Sequence, residues 1–575
     1  MRGLPGRQLL AVSLAVSTLL TGLLAQAAPD AVFFNGPVIT LDSQNSIASG
    51  LAVEDRKIVA VGEAEDVLLL ADASTLLIDL KGKPLLPGFV DSHSHANFIG
   101  VQALSANLLP APDGSGNSIG QLQTLLKDYL ASEPQLLKST AWVIGFGYDD
   151  SQLAERRHPT RHDLDAVSPD IPILLIHQSG HLATANSEAL RVAGVSSDTP
   201  DPDGGAFRRE SDGKEPNGVA EEYAAFRLIF TALANTDAAL QDQMLLAGTE
   251  LMASYGYTTA QEGRANPQAM AAMQRVADRD KLKIDLVSYP DMLMVEDPVP
   301  TLSYSNRYRI GGVKLTIDGS PQGKTAWLSA PYHVPPHGQS EEYRGYAAVD
   351  EATIVASVLR AFEKGWQIMV HANGDAAIDA FIAAVSEARL AHPSVRNRPV
   401  LIHGQTLRKD QVESLDALHI FPSLFPMHTF YWGDWHRDSV LGVARAENIS
   451  PTAWVRERGM RFGSHHDAPV ALPDSMRVLS ATVTRRTRSG DILGPGQRVD
   501  VITALRAMTL WPAWQHFEED SKGSLELGKL ADLVVLSDNP LTVDALELSG
   551  LQVLATYKEG QLVYQRDIAF PANDL

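Results

Sequence analysis

The chain has 575 residues, 45% hydrophobic and 20% charged, with 69 Asp and Glu against 48 Lys and Arg and a formal net charge of −21. This is the composition of a water-soluble globular protein able to bury a large core, and with no Lys/Arg-rich block to follow a phosphate backbone it argues against nucleic acid as a partner. Cysteine is absent, so neither a disulfide nor a lipid-modified thiol can form.

Arg2 and Arg7 precede an apolar stretch from Leu9 to Ala25, followed by the small residues of "AQAAPDA". That order predicts a secretory signal over 1–27, cleaved after Ala27, and a secreted or periplasmic protein with no membrane contact once it is removed. The alternative is an uncleaved anchor, for which the apolar stretch is short. From 28 to 86, "AVFFNGPVITLD", "GLAVEDRKIVAVG" and "LLIDLKGKPLLPGFVD" are β-rich runs separated by Asn-Gly, Asp-Arg-Lys and Lys-Gly-Lys turns. The segment 525–575 repeats that texture in "ADLVVLSDNPL" and "VLATYKEGQLVYQ", which predicts a small sheet built from both ends of the chain.

Between the ends, over 87–524, apolar strand-like runs alternate with helical stretches such as Asp350 to Lys364 and Ala376 to Leu390. This rhythm predicts an α/β protein with parallel βαβ units. Each run ends in a polar cluster, as in "IGGVKLTID", "WQIMVHANGD", "RPVLIHGQ" and "MRFGSHHDAPV", and a (β/α)8 barrel collects such clusters at the C-terminal ends of its strands. Residues from about 103 to 250 fit the rhythm less well and read as an insertion after the first barrel strand.

In "LLPGFVDSHSH" an apolar run leads to His93 and His95, two residues apart, so on an extended strand both imidazoles leave one face and can share a borderline cation such as zinc. Alone the pair is equally well a structural feature. His371 and His403 follow further apolar runs, however, and Asp467 ends another. Lys314 lies at a strand end as well; it is either a surface amine or, facing a cavity with two divalent cations, a neutral amine able to take up CO2 and bridge them as a carbamate.

The stretches "LPGFVDSHSH", "GFGYDD", "RHPTRHDLDAVSPDIPILL", "SGHLATANSEAL", "GGVKLTIDGSPQGKTAWLSAPY", "VHANGDAAID", "IHGQ", "DAPV" and "GSLELGKLADLVVL" resemble, in order and over nearly the whole mature chain, the metal-dependent amidohydrolase superfamily in its amidohydrolase 3, or YtcJ-like, branch. The resemblance implies a (β/α)8 barrel joined to a small β-sandwich from the N- and C-terminal segments. It implies His93, His95, Lys314, His371, His403 and Asp467 as metal ligands, Lys314 as a carboxylated bridge and Asp467 as general base. Where the family has Gly-Ser-Asp at strand eight this chain reads "GSHHDAPV", which adds His465 and His466 before the acid.

His181, Glu221, Asp318, His428, Trp432 and His466 are candidates for substrate contact, each with a structural role as the competing explanation. Lys324, beside Asp318, reads either way as well, and the run holding His428 and Trp432 also carries Tyr431, Asp434 and His436. Asp375 is either a partner orienting His371 or a helix cap. The expected cofactor is a divalent metal, zinc above iron, manganese or nickel, as one or two ions. The expected activity is hydrolysis of a C–N bond other than a peptide bond in a small molecule: an N-acyl amine or amino acid, a cyclic amide or a carbamate. The competing class is a metal-binding regulatory or sensor protein of little turnover; a solute-binding protein conflicts with the barrel pattern. The sequence carries no signal for oligomeric state.

Overall fold

The computed structural model describes residues 28–336 and 338–566. The leader expected at 1–27 lies outside the described residues, and no helix among those described is long and apolar enough to cross a membrane.

Strands from both ends of the chain share one eight-stranded sheet. Its seam is the antiparallel pairing of Leu85–Pro87 with Leu533–Leu536, in which Leu533 faces Pro87 and Val535 faces Leu85. The two-residue side-chain period divides the strand Ala31–Ile39 between two cores: Val32 packs with Ala52 and Val67, and Phe33 with Leu51, Ile58, Leu533 and Val535. The Asn-Gly pair read as a turn is instead part of that strand. The pairing shifts register between Phe34 and Val38, Asn35 takes φ 60°, and a Cβ on Gly36 would sit 2.3 Å from the Lys83 carbonyl oxygen. A bulge thus absorbs the turn-forming residues without ending the strand. At Asp55-Arg56, where φ is 43° and 69°, the chain does reverse as a tight hairpin.

The central segment supplies eight short strands in chain order: Phe89–Val90, Tyr257–Ala265, Asp285–Pro290, Val313–Thr316, Ile368–Ala372, Val400–His403, Phe421–Leu424 and Gly463–Ser464. The first three pair in parallel, and so do the last five. A parallel bridge from Asp291 to Lys314 joins the two half-sheets on one side. On the other side His95 N–H donates to the Ala468 carbonyl at 2.8 Å, and Gly463 lies so close to Ser92 that a Cβ there would meet its Cβ at 2.7 Å. The result is the strand order of a (β/α)8 barrel, with helices between its strands except between Asp285–Pro290 and Val313–Thr316, where a further short strand, Tyr308–Ile310, pairs in parallel with Asp285–Pro290.

Helices between the strands follow from sequence signals. In Glu351–Lys364 the buried residues Ile354, Val358, Ala361 and Phe362 recur at helical spacing, Asp350 caps the start by accepting from Thr353 N–H, and Gly365 ends it in the left-handed region. Between barrel strands one and two the chain builds a separate six-stranded sheet from segments within 106–222. The helix Tyr223–Leu233 follows, and then Ala238–Ser254, which crosses Ala96–Leu104 at very close range through Gly100 and Gly248.

Candidate metal centre

Strand one stops at Val90, and the two histidines sit beyond it on a loop organised by a buried carboxylate. Asp91 accepts N–H groups from His93 at 3.0 Å and Gln261 at 3.0 Å, and also the hydroxyl of Ser94. Burial pushes Asp91 up to about 7. The loop places the His93 and His95 rings 5.1 Å apart, with each Nε2 3.4 Å from Asp467 Oδ1.

Lys314 occupies an inward position of strand four, its Nζ buried 3.1 Å from His93 Nε2. Burial, with help from the charge of Arg264, brings the amine down to about 7, so a neutral lysine is accessible at this position. His371 and His403 end strands five and six, and His371 Nδ1 lies 3.1 Å from His403 Nε2. Burial holds His93, His371 and His403 well below the usual imidazole range, so these rings are neutral and keep a lone pair. For His95 burial is outweighed by the flanking Asp467 and Glu262 carboxylates, which raise it.

Asp467 completes the group three residues after strand eight, with Oδ2 3.9 Å from His403 Nε2. Its Oδ1 is buried and makes no hydrogen bond among the described residues. A buried carboxylate oxygen without a hydrogen bond is costly unless a cation completes the set. With metal–nitrogen bonds of about 2.0–2.1 Å, two ligand atoms of one ion lie roughly 3–3.4 Å apart, and the 3.1 and 3.4 Å separations here match that spacing. The donor set therefore fits a divalent metal. Two members adopt backbone conformations rare for residues with a side chain, φ 75° at His403 and φ 53° at Asp467, a strain of about 1–3 kcal/mol each that the surrounding structure must impose.

Supporting contacts fix the ring orientations. Gln261 Oε1 lies 2.8 Å from His93 Nδ1, and Glu262 Oε1 lies 3.6 Å from His95 Nδ1. Asp318 is fully buried, accepts from the backbone N–H groups of Asn373, Gly374 and Trp327, and approaches His371 Nε2 to 3.6 Å. Burial lifts it to about 7. Asp375 does not reach His371: it accepts from Ser329 and Arg408 at the start of its helix, so Asp318, arriving from strand four, takes the place next to the ring. Gln261 and Glu262 were not singled out from the sequence, although "TTAQEGR" shows the same signal as the other strands, an apolar run ending in polar residues.

One cavity reaches the centre, bordered by His95, Lys314, His371, His403 and Asp467 and walled largely by apolar side chains. Of the six residues read as substrate contacts, His181 borders it, with its ring 5.6 Å from that of His371. Glu221 does not: it pairs with Arg208 on the opposite face of its strand, while its neighbour Glu222 holds His181 Nδ1 at 2.7 Å. Asp318 lies behind His371. His428 is buried against Phe425, Trp432 and His436. Trp432 donates its indole N–H to Asp149 at 2.6 Å, and His466 faces Asp91 at 3.7 Å. His465 is also buried, stacked on Phe425 with its ring 5.4 Å from that of His93. Lys324 donates to Ser439 Oγ at 2.8 Å, away from the donors.

A second group, Asp149, Asp150 and His177, lies in the inserted sheet. There His177 Nε2 faces Asp150 Oδ1 at 3.1 Å, and its Nδ1 lies 3.0 Å from the Ser179 backbone nitrogen and 2.9 Å from the Ser179 hydroxyl oxygen. Burial of His177 is outweighed by the Asp149 and Asp150 carboxylates, which raise it to about 9, so the group is held together as an ion-paired, hydrogen-bonded cluster.

Residues 76–564 match the amidohydrolase family. The chain is 28% identical to the putative amidohydrolase YtcJ of Bacillus subtilis over 548 residues, 93% of this chain and 99% of that one. It is also 28% identical to the N-substituted formamide deformylase of Arthrobacter pascens over 560 residues, 93% of this chain and 98% of that one. A metal-dependent hydrolase of Pyrococcus furiosus superposes with a TM-score of 0.69 at 25% identity, covering 89% of this chain and all of the other. Together with a barrel whose strand ends gather His93, His95, Lys314, His371, His403 and Asp467, the match places this chain in the amidohydrolase family, in its YtcJ-like branch.

Proposed function

We propose that the protein is an exported, metal-dependent hydrolase that cleaves a C–N bond other than a peptide bond in a small molecule. The observation that carries the reading is the convergence of His93 and His95 on a buried Asp467 Oδ1 that makes no hydrogen bond among the described residues, beside the cavity that also reaches His371 and His403. His93, His95, His371, His403 and Asp467 would hold the ion, zinc by preference for such donors. A carbamate on Lys314, formed from the neutral amine, would add oxygen donors for a second ion. The N-substituted formamide deformylase among the relatives supports a carbonyl bonded to nitrogen as the group attacked.

A divalent cation, when bound, supplies a Lewis acid that makes water nucleophilic near neutral pH and polarises a carbonyl. The remaining chemistry belongs to the chain. The Asp467 carboxylate takes a proton from water as the water oxygen bonds to the carbonyl carbon, and returns that proton to nitrogen as the C–N bond breaks. Gln261, Glu262 and Asp318 keep the imidazoles oriented while this happens. His181, held by Glu222, contacts the substrate from the inserted sheet.

Metal analysis of the purified protein, combined with hydrolysis assays over N-acyl amino acids, lactams and carbamates, tests the reading. Asp467→Asn should retain metal and lose at least about 100-fold in kcat. Full turnover in that variant would remove Asp467 from the role of base.

A further inference from the structure

Toward its end strand two carries Gln261, Glu262, Gly263 and Arg264; the first two flank the histidine rings and Gly263 leaves room for that of His93. Arg264 borders the same cavity as the metal donors. It meets the buried Asp291 through Nε alone, at 2.8 Å, and Asp291 is itself fixed by accepting from Leu293 N–H at 2.9 Å. The guanidinium carbon lies 5.4 Å from the centre of the Phe226 ring. Neither Nη has a hydrogen-bond partner among the described residues, and the side chain keeps 21% of its surface exposed.

The anchoring leaves a particular edge available. An arginine serving only to neutralise Asp291 is expected to meet it with two parallel N–H groups. Contact through Nε alone leaves the paired Nη groups, on a side chain that borders the cavity, without an acceptor among the described residues, while the Asp291 bond and the cation–π contact with Phe226 restrain the guanidinium from two sides. A fixed planar fork is the arrangement that recognises a carboxylate, because little side-chain freedom remains to be lost on binding. Around it the cavity wall is apolar, with Phe146, Ile176, Phe226, Ile229, Phe230 and Met294. Such a wall favours a hydrophobic substituent.

We propose that Arg264 binds a carboxylate of the substrate, and that the substrate class is therefore N-acyl amino acids carrying an apolar acyl group or side chain. This rests on the hydrolase reading above and narrows it: an N-acyl amino acid carries a carboxylate on the carbon bonded to the scissile nitrogen, and Arg264 borders the same cavity as the metal donors. Simple N-acyl amines, lacking the anion, leave the fork unpaired in a largely apolar cavity, and a site built around such a group discriminates strongly against a ligand without its partner.

The test uses the metal-loaded full chain and a matched pair of probes, N-benzoyl-leucine (both enantiomers) and N-(3-methylbutyl)benzamide, which differ only in the carboxylate. The acid-to-amide ratio of kcat/KM should exceed about 100 in the wild type and fall toward 1 in Arg264→Met, with partial recovery in Arg264→Lys. Because Arg264→Met strands the Asp291 charge, the double variant Arg264→Met/Asp291→Asn is run beside it. Calorimetric binding of the two probes gives a second readout independent of turnover. Acid-selective binding lost in the variants upholds the carboxylate site even if neither probe is cleaved, and a failure to cleave any C–N substrate then counts against the hydrolase reading alone. A wild-type ratio near 1, equal binding or no binding of the probes, or an unchanged ratio in the double variant overturns the assignment of Arg264.

Discussion

Replacing Gly100 by alanine should damage the metal centre without touching a ligand. Gly100 lies in the helix Ala96–Leu104, which begins immediately after His95. A Cβ at this position would stand 1.8 Å from the Met244 carbonyl oxygen and 2.3 Å from its carbon, both backbone atoms of the crossing helix. Ordinary contact lies near 3.5 Å, so the two helices must part by roughly 1.5 Å. Overpacking of this kind costs about 1–3 kcal/mol, whereas alanine in place of glycine inside a helix by itself contributes up to about 1 kcal/mol in the other direction. Contact should win, since no flexible side chain is available to give way, and the net loss should be about 1–2 kcal/mol. The displaced helix carries His95 away from Asp467, so metal affinity should fall as well. Denaturant unfolding of the metal-free protein and metal titration of the native protein read the two effects separately. A variant that is as stable as the wild type or more so, with unchanged metal affinity, would refute the argument that this crossing sets the position of His95.

Gln261→Leu removes the acceptor at His93 Nδ1 and should weaken metal binding by about 10- to 100-fold in a competition assay, with unchanged affinity refuting its orienting role. Lys314→Ala should lower metal content measured after purification, and unchanged occupancy would strike it from the ligands. The same lysine makes a signed prediction for the metal-free protein. Its folded value of about 7 lies below its ordinary 10.5, so between those two pH values the unfolded chain binds more protons and stability should rise with pH. In Lys314→Met that contribution to the rise should vanish, and an identical slope in urea unfolding across this window would show that the amine is not held neutral.

Much of the site can be read along the chain because the chemistry of barrel rims is local. A strand buried in the barrel is apolar, and its C-terminal end meets the cavity, so an apolar run broken by His, Lys or Asp marks a side chain at the rim. His93, His95, Lys314, His371, His403 and Asp467 all carry that mark, and the structure brings them to one place. The same mark at the end of "TTAQEGR" belongs to Gln261, Glu262 and Arg264, where the polar side chains orient a histidine or border the cavity and do not themselves look like ligands.

The sequence alone determined the alternation of strand and helix, the pairing of the two chain ends in β-rich segments and the residue types available at each strand end, because these depend on periodicity and on neighbours a few positions away. Which face a side chain takes was left to the tertiary structure. Glu221 and Glu222 differ by one residue, yet strand pairing sends one to Arg208 and the other to His181. Asp318 and Asp375 are both carboxylates near His371, and only packing of the loop after strand four puts Asp318 beside the ring. His428, Trp432 and His466 look equally eligible in one dimension, but they turn toward buried partners of their own. A one-residue step reverses direction in a strand, and a carboxylate finds its partner through contacts hundreds of positions away, so these choices exist only once the chain is folded.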